Sequence, residues 1–469
     1  MRHSLSALFV LFLADGARAA TFGTVTAPAG GGAYTDIVLD ETRQRLYLVN
    51  NGQSRIDVFN IRTRTFGSPI ATDLQPVSAA LGIDGATLYV TSFAAAVLDV
   101  IDLNRNLKTG SVSLPSSPEG VAVGGDGRVL ITGVSVGAGT ANTLLIYDPS
   151  QGTSAGVQSV TVAPPPPASP VLPPPNNRVF NSYRSHLATS RDGRTIVGIN
   201  ITGATTQSLF VYEVASGTVL RSRTAVNVSS VIAVAPDGSK FMAGPVLFDA
   251  LTLQVLAQEN AGNAPFAFPA GAAGNFNTQQ NQGGSVFTPD GATLYAAFNM
   301  APVGAARANT TQLLVNDPDN LLIRYGVQLP ENMTGKMVMD AAGASIYALS
   351  DSGFTTLPIG TITNSAIAVP DLTAVLLTSD VCGVFAGQNI GSSNISNLGR
   401  GRFTAAVAPY LATPANQQII IIIPGPPGTQ PGSEQGCVVS VIRAAGMLPM
   451  STVVSPLMKI GRASCRERV

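Results

Sequence analysis

The chain has 469 residues, 27 basic and 27 acidic side chains, and a formal net charge of zero, with only 12 % of its residues charged. Nothing in that balance suggests a nucleic-acid surface, and 48 glycines and 32 prolines suit a turn-rich, all-β chain. The length allows more than one domain.

Met1 to Ala19 reads as a secretory signal peptide. Arg2 gives the positive start, Leu5 to Ala14 the apolar core, and Ala17-Arg18-Ala19 the small-x-small cleavage site. A membrane anchor is the rival reading, but the apolar run is only about half of the ~20 residues a spanning helix needs. No later segment is a transmembrane candidate. The mature chain is therefore expected to be secreted, extracellular or periplasmic. Phe22 to Ala27 then reads as a short strand.

From there one pattern recurs seven times: a short strand, a tight Asp-Gly turn, an apolar strand, a loop and a further strand. Its fullest copy is Gly82-Ile83-Asp84-Gly85-Ala86-Thr87-Leu88-Tyr89-Val90, followed by Val97-Leu98-Asp99-Val100-Ile101-Asp102. Asp-Gly between apolar runs is a hairpin signal, because glycine accepts the positive φ of a tight turn. The turn aspartates Asp40, Asp84, Asp126, Asp192, Asp237, Asp290 and Asp340 lie 44, 42, 66, 45, 53 and 50 residues apart. That is the period of a four-stranded propeller blade, roughly 40–50 residues. The first and last copies have drifted from the pattern. Phe22 to Ala27 resembles an outer blade strand that would close the ring on the last blade. Ala366 to Val369 is a competing outer strand for that blade.

Tyr89-Val90-Thr91-Ser92 with Val97 to Asp102, Tyr47-Leu48-Val49-Asn50-Asn51 with Ile56 to Asn60, and Pro118-Glu119-Gly120 resemble the YVTN family of seven-bladed β-propellers. The resemblance covers about residues 22–371 and is closest in the first blades. It implies the fold and a secreted or surface location of bacterial type, and no single activity. The expected domains are a signal peptide over 1–19, a propeller over 20–371 and a smaller β domain over 372–459. The blades are expected at about 34–76, 77–117, 118–181, 182–227, 228–281, 282–331 and 332–371.

Two insertions interrupt the repeat. The proline run from Ala163 to Pro175 favours a stiff extended surface loop. Asn260 to Gln282 reads as a long loop of blade five. Past Pro370 the pattern ends. Asn389 to Thr404 resembles the first half of a bacterial immunoglobulin-like module. Ile419 to Ile423 suits a buried strand, ended by Pro424-Gly425-Pro426-Pro427-Gly428. Together they predict a partial β-sandwich-like domain. Ile460 to Val469 resembles a translated sequencing adapter and is abruptly basic. It is set aside as artefact, against the rival reading of a basic binding tail; the true C-terminus is then expected to be missing.

Few residues offer chemistry. Cys382 and Cys437 share the second domain, and in an exported chain they form a disulfide candidate. The third cysteine, Cys465, falls in the basic tail. His186 is the only histidine beyond the signal peptide, so a metal site built on several histidines is excluded and a catalytic triad has one base to draw on. Asp317-Pro318-Asp319-Asn320 has oxygens suited to calcium but lacks EF-hand spacing, and reads as a turn. The absence of tryptophan argues against quinone-dependent propeller dehydrogenases. No phosphate-binding loop is evident. No metal or cofactor is implied.

Counting six residues back from each turn aspartate along the innermost strand gives Tyr34, Ser78, Gly120, His186, Val231, Gly284 and Thr334. Positions one or two further back add Glu119 and Arg184. Tyr34, Glu119, Arg184 and His186 are thus the candidate ligand-binding residues, expected around one entrance of the channel. The rival reading pairs Glu119 with Arg184 to hold neighbouring blades. These features favour a monomeric binding or scaffold module for an extracellular protein or carbohydrate over an enzyme. The alternative is a propeller hydrolase of the lactonase type acting on a sugar-derived lactone, which would need convergent acid–base residues at the channel mouth.

Overall fold

The computed structural model describes residues 21–133, 143–161, 185–201, 206–226, 228, 231–258, 279–301, 310–321, 323–364, 367–368, 375–377, 404–406, 416–423 and 435–443. Seven antiparallel sheets stand around a central channel. Their innermost strands are Tyr34–Asp40, Pro76–Leu81, Pro118–Val123, Ser185–Thr189, Ile232–Val234, Gln279–Phe287 and Met333–Met339. Each inner strand neighbours the next, and the seventh neighbours the first. The result is a seven-bladed β-propeller. Among the described residues no α-helix occurs, and no helix is long and apolar enough to cross a membrane.

Blade 2 shows how the repeat folds. Pro76–Leu81 pairs with Thr87–Ser92, which pairs with Val97–Asp102, which pairs with Leu107–Ser113. The turn after the inner strand is set by Asp84 and Gly85. The Asp84 carboxylate accepts the Ala86 and Thr87 N–H groups at 2.9 and 3.0 Å, and Gly85 takes φ 61°. The same carboxylate-to-N–H bond recurs at Asp126, Asp192, Asp237 and Asp290, each 3.0 Å long.

The core is divided among the seams between blades. Among the described residues, seven buried clusters occur, one per seam. Alternation along one strand explains this. Leu46 and Leu48 face blade 7 beside Phe354, while Tyr47 and Val49 face blade 2 beside Leu88. A sheet buried on both faces reads as a continuous apolar run, hence Leu46-Tyr47-Leu48-Val49.

The ring closes with the N-terminal strand. Thr24–Thr26 pairs antiparallel with Gly353–Leu357, with Val25 opposite Thr355, and is the outer strand of blade 7. Phe22 anchors it, 5 % exposed in the seam between blades 6 and 7, with its N–H on the Gln328 carbonyl at 2.7 Å. The competing segment behaves otherwise. Ile367–Ala368 pairs with Ile323–Gln328, the outer strand of blade 6 rather than of blade 7. The predicted blade-five loop is also shorter at its end, because the inner strand of blade 6 begins at Gln279.

Beyond the propeller, four antiparallel strands form a separate sheet in the order Val375–Leu377, Gln435–Arg443, Asn416–Ile423, Thr404–Ala406. The isoleucine run lies in a central strand of it, with Ile421 opposite Cys437. Residues 1–20, the proline run, Cys382 and the tail from Ile460 lie outside the described residues.

Candidate ligand site at the channel mouth

Strand register defines which residues share a level in the ring. Leu39, Leu81, Val123, Thr189, Val234, Phe287 and Met339 lie opposite Leu46, Leu88, Val129, Ile196, Phe241, Leu294 and Ile346. Three residues back from these, the shared level holds Asp36, Ser78, Gly120, His186, Val231, Gly284 and Lys336. The five middle positions coincide with the count from the turn aspartates. The first and last do not. Two extra residues separate the aspartate from the second strand in the drifted copies, so the count lands on Tyr34 and Thr334 instead of Asp36 and Lys336. Counting from the apolar second strand (Leu46, Leu88 and their equivalents) finds both missed residues.

Five inner strands carry a break in register at or beside this level: between Tyr34 and Asp36, Pro76 and Ser78, Pro118 and Val121, Gln282 and Ser285, and Met333 and Met337. A bulge re-aims the side chains beside it. Here it turns polar groups toward the end of the channel. Asp36, Ser78, His186, Val231 and Lys336 all line one cavity of about 480 Å³, with Tyr34, Thr35 and Thr334 at its wall.

Asp36 is the best-held group of this mouth, 5 % exposed. Its Oδ1 accepts the Ile37 N–H at 2.8 Å and the Lys336 ammonium at 3.1 Å. Its Oδ2 accepts the Ser78 hydroxyl at 2.7 Å and the Ala79 N–H at 2.9 Å. One carboxylate therefore ties blade 1 to blades 2 and 7.

The four candidate residues from the sequence have separate fates. Tyr34 and His186 both line the cavity. The Tyr34 hydroxyl donates to Asp57 Oδ2 at 3.1 Å, and Asp57 also accepts Asn50 Nδ2 at 2.9 Å and pairs with Arg55 at 2.6 Å. Burial, then the neighbouring Asp57 carboxylate, holds the phenol well above its ordinary pKa, so it stays protonated. Glu119, 4 % exposed, is turned toward blade 4, where its Oε2 accepts both the backbone N–H and, at 3.0 Å, the hydroxyl of Ser185. That contact joins blades 3 and 4. Arg184 lies outside the described residues.

Toward the opposite end of the channel lies a second cavity of about 480 Å³, walled by Val38, Ala80, Ala122 and Val286 with Glu41, Thr189 and Ser285; Lys336, Leu187, Ala188 and Ile232 border both cavities. Asp317 and Asp319 sit in a turn of blade 6, where Asp317 accepts the Asp319 N–H at 3.0 Å and pairs with Arg324 at 3.1 Å. Among the described residues no cluster of three or more histidine, cysteine, aspartate or glutamate side chains could hold a metal.

No family model and no curated protein sequence matches the chain. Among solved structures, hydrazine synthase of Kuenenia stuttgartiensis is similar, with a TM-score of 0.50 and 16 % identity over 71 % of this chain and 97 % of that one. At that identity the likeness is one of fold: a propeller-containing protein, and no more.

Proposed function

We propose that this chain is an exported propeller of the YVTN repeat type, acting as a binding or scaffold module, with the polar mouth of its channel as the binding surface. One observation carries the reading. The level shared by all seven inner strands puts an acid, a hydroxyl, an imidazole and an ammonium, from Asp36, Ser78, His186 and Lys336, around a single cavity. Pockets of this size with a few convergent polar groups are the usual places where small molecules or protruding groups are held. Its acid is saturated by fixed donors, so it orients its neighbours and is not available as a general base. This favours binding over hydrolysis. Export rests on the Met1–Ala19 pattern and the Cys382–Cys437 pair.

The test uses Thr334, which is exposed on the cavity wall. Wild type and Thr334→Trp are screened against an array of soluble polysaccharides and small hydroxy acids. The reading expects binding by wild type that the plugged variant loses at unchanged melting temperature. Binding that survives the plug places the function elsewhere.

A further inference from the structure

The mouth has an uneven supply of donors and acceptors. Asp36 has nothing left to offer. A carboxylate has about four lone-pair sites, and the contacts from Ile37, Lys336, Ser78 and Ala79 take one each. Lys336 is the opposite case. Its ammonium has three donors, Asp36 accepts one, and the side chain is 41 % exposed on the cavity. Ser78 spends its proton on Asp36 and therefore meets a ligand as an acceptor, whereas the Tyr34 oxygen is already engaged by Asp57 and the Ala29 backbone.

Resting on the reading of this mouth as the binding surface, we propose that it takes a small polyhydroxylated carboxylate. The ligand's carboxylate accepts from Lys336, and one of its hydroxyls donates to the Ser78 oxygen. A fully deprotonated inorganic anion such as sulfate meets the ammonium but brings no donor for the Ser78 oxygen. A neutral polyol brings donors but leaves the ammonium without its charge partner. A hydroxy acid satisfies both sets, and a cavity of about 480 Å³ accommodates one with its bound water. The inner strands add to the fit. Each pairs along one edge only within its sheet, so its other edge turns N–H and C=O groups to the channel.

His186 is the reporter. The chain has two histidines, and His186 lines the cavity. The full chain is titrated with gluconate, sorbitol or sulfate while the His186 ring C–H resonances, assigned with a His3→Ala variant, are followed by NMR. Gluconate shifts them saturably; sorbitol and sulfate do not. Lys336→Met weakens gluconate about tenfold or more, as loss of a charge-assisted hydrogen bond does. Lys336→Arg keeps the charge and retains most of the affinity, which separates lost binding from lost folding. No response to gluconate, an equal response to sorbitol, or an unchanged gluconate affinity in Lys336→Met overturns the proposal. If gluconate fails while another ligand is lost on plugging Thr334, only the ligand class falls and the mouth stands as the binding surface.

Discussion

The Lys336 ammonium of blade 7 meets the Asp36 carboxylate of blade 1 at 3.1 Å, across the seam where the ring closes. The two ends of this contact differ in kind. Asp36 is buried and also accepts from blade 2, whereas Lys336 is half exposed.

Stability should follow that asymmetry. Asp36→Ala strips the acceptor from the buried Ala79 N–H and the Ser78 hydroxyl, at a cost of about 2–4 kcal/mol. Lys336→Met removes only a partly solvated ion pair and costs about 1 kcal/mol or less. Urea denaturation of the two variants against wild type checks the order.

The N-terminal strand should be indispensable to closure. Phe22 fills the seam between blades 6 and 7 among Met333, Leu357 and Ile359. Phe22→Ala should destabilise the propeller by about 3–5 kcal/mol, as large-to-small changes of buried aromatics do. Amide exchange should then rise first in Gly353–Leu357, the strand that loses its partner.

Much of this architecture is legible in the sequence. Seven turns in phase specify seven blades, and the continuous apolar second strands announce sheets buried on both faces. The ring of mouth residues is legible only where the aspartate keeps its place in the turn. In the first and last copies the turn has the usual length, but Asp40 and Asp340 stand two residues nearer the inner strand, which hides Asp36 and Lys336. Glu119 is legible as a candidate, but its partner is not. The register break between Pro118 and Val121 accompanies a side chain directed at Ser185, and simple alternation along a strand does not foresee that. The outer-strand role of Ile367–Ala368 depends on which blade edge stands open, and Thr24–Thr26 already occupies that of blade 7.

Blade 4 offers a steric test. Gly198 lies in a central strand directly opposite Phe210, and a Cβ there would sit within the Phe210 ring. Phe210 is fully buried in the seam between blades 3 and 4. Gly198→Ala should cost about 1–3 kcal/mol as overpacking. Adding Phe210→Leu should recover part of the loss, which a double-mutant cycle measures.

The turn carboxylates set the acid limit. The Ser190 hydroxyl holds Asp192 below the ordinary carboxylate range, the Ser239 N–H does so for Asp237, and the Thr288 hydroxyl for Asp290. A depressed folded-state pKa contributes stability that is present above the unfolded value and lost as pH falls through the folded one. The propeller should therefore lose stability as pH drops below about 4. The triple variant Asp192→Asn, Asp237→Asn, Asp290→Asn keeps an acceptor at each turn but cannot titrate. Its stability should vary less over that range, as denaturation at stepped pH will record.

The binding role of one channel mouth is tested most directly by plugging each end in turn. Thr334→Trp blocks the mouth at Asp36 and His186, and Glu41→Trp blocks the opposite end. Both are compared with wild type by equilibrium binding to the same array of polysaccharides and hydroxy acids, with melting temperatures recorded alongside. The account predicts that a ligand class bound by wild type is lost in Thr334→Trp and kept in Glu41→Trp. Loss only on plugging the Glu41 end, or binding that survives both plugs, would contradict it.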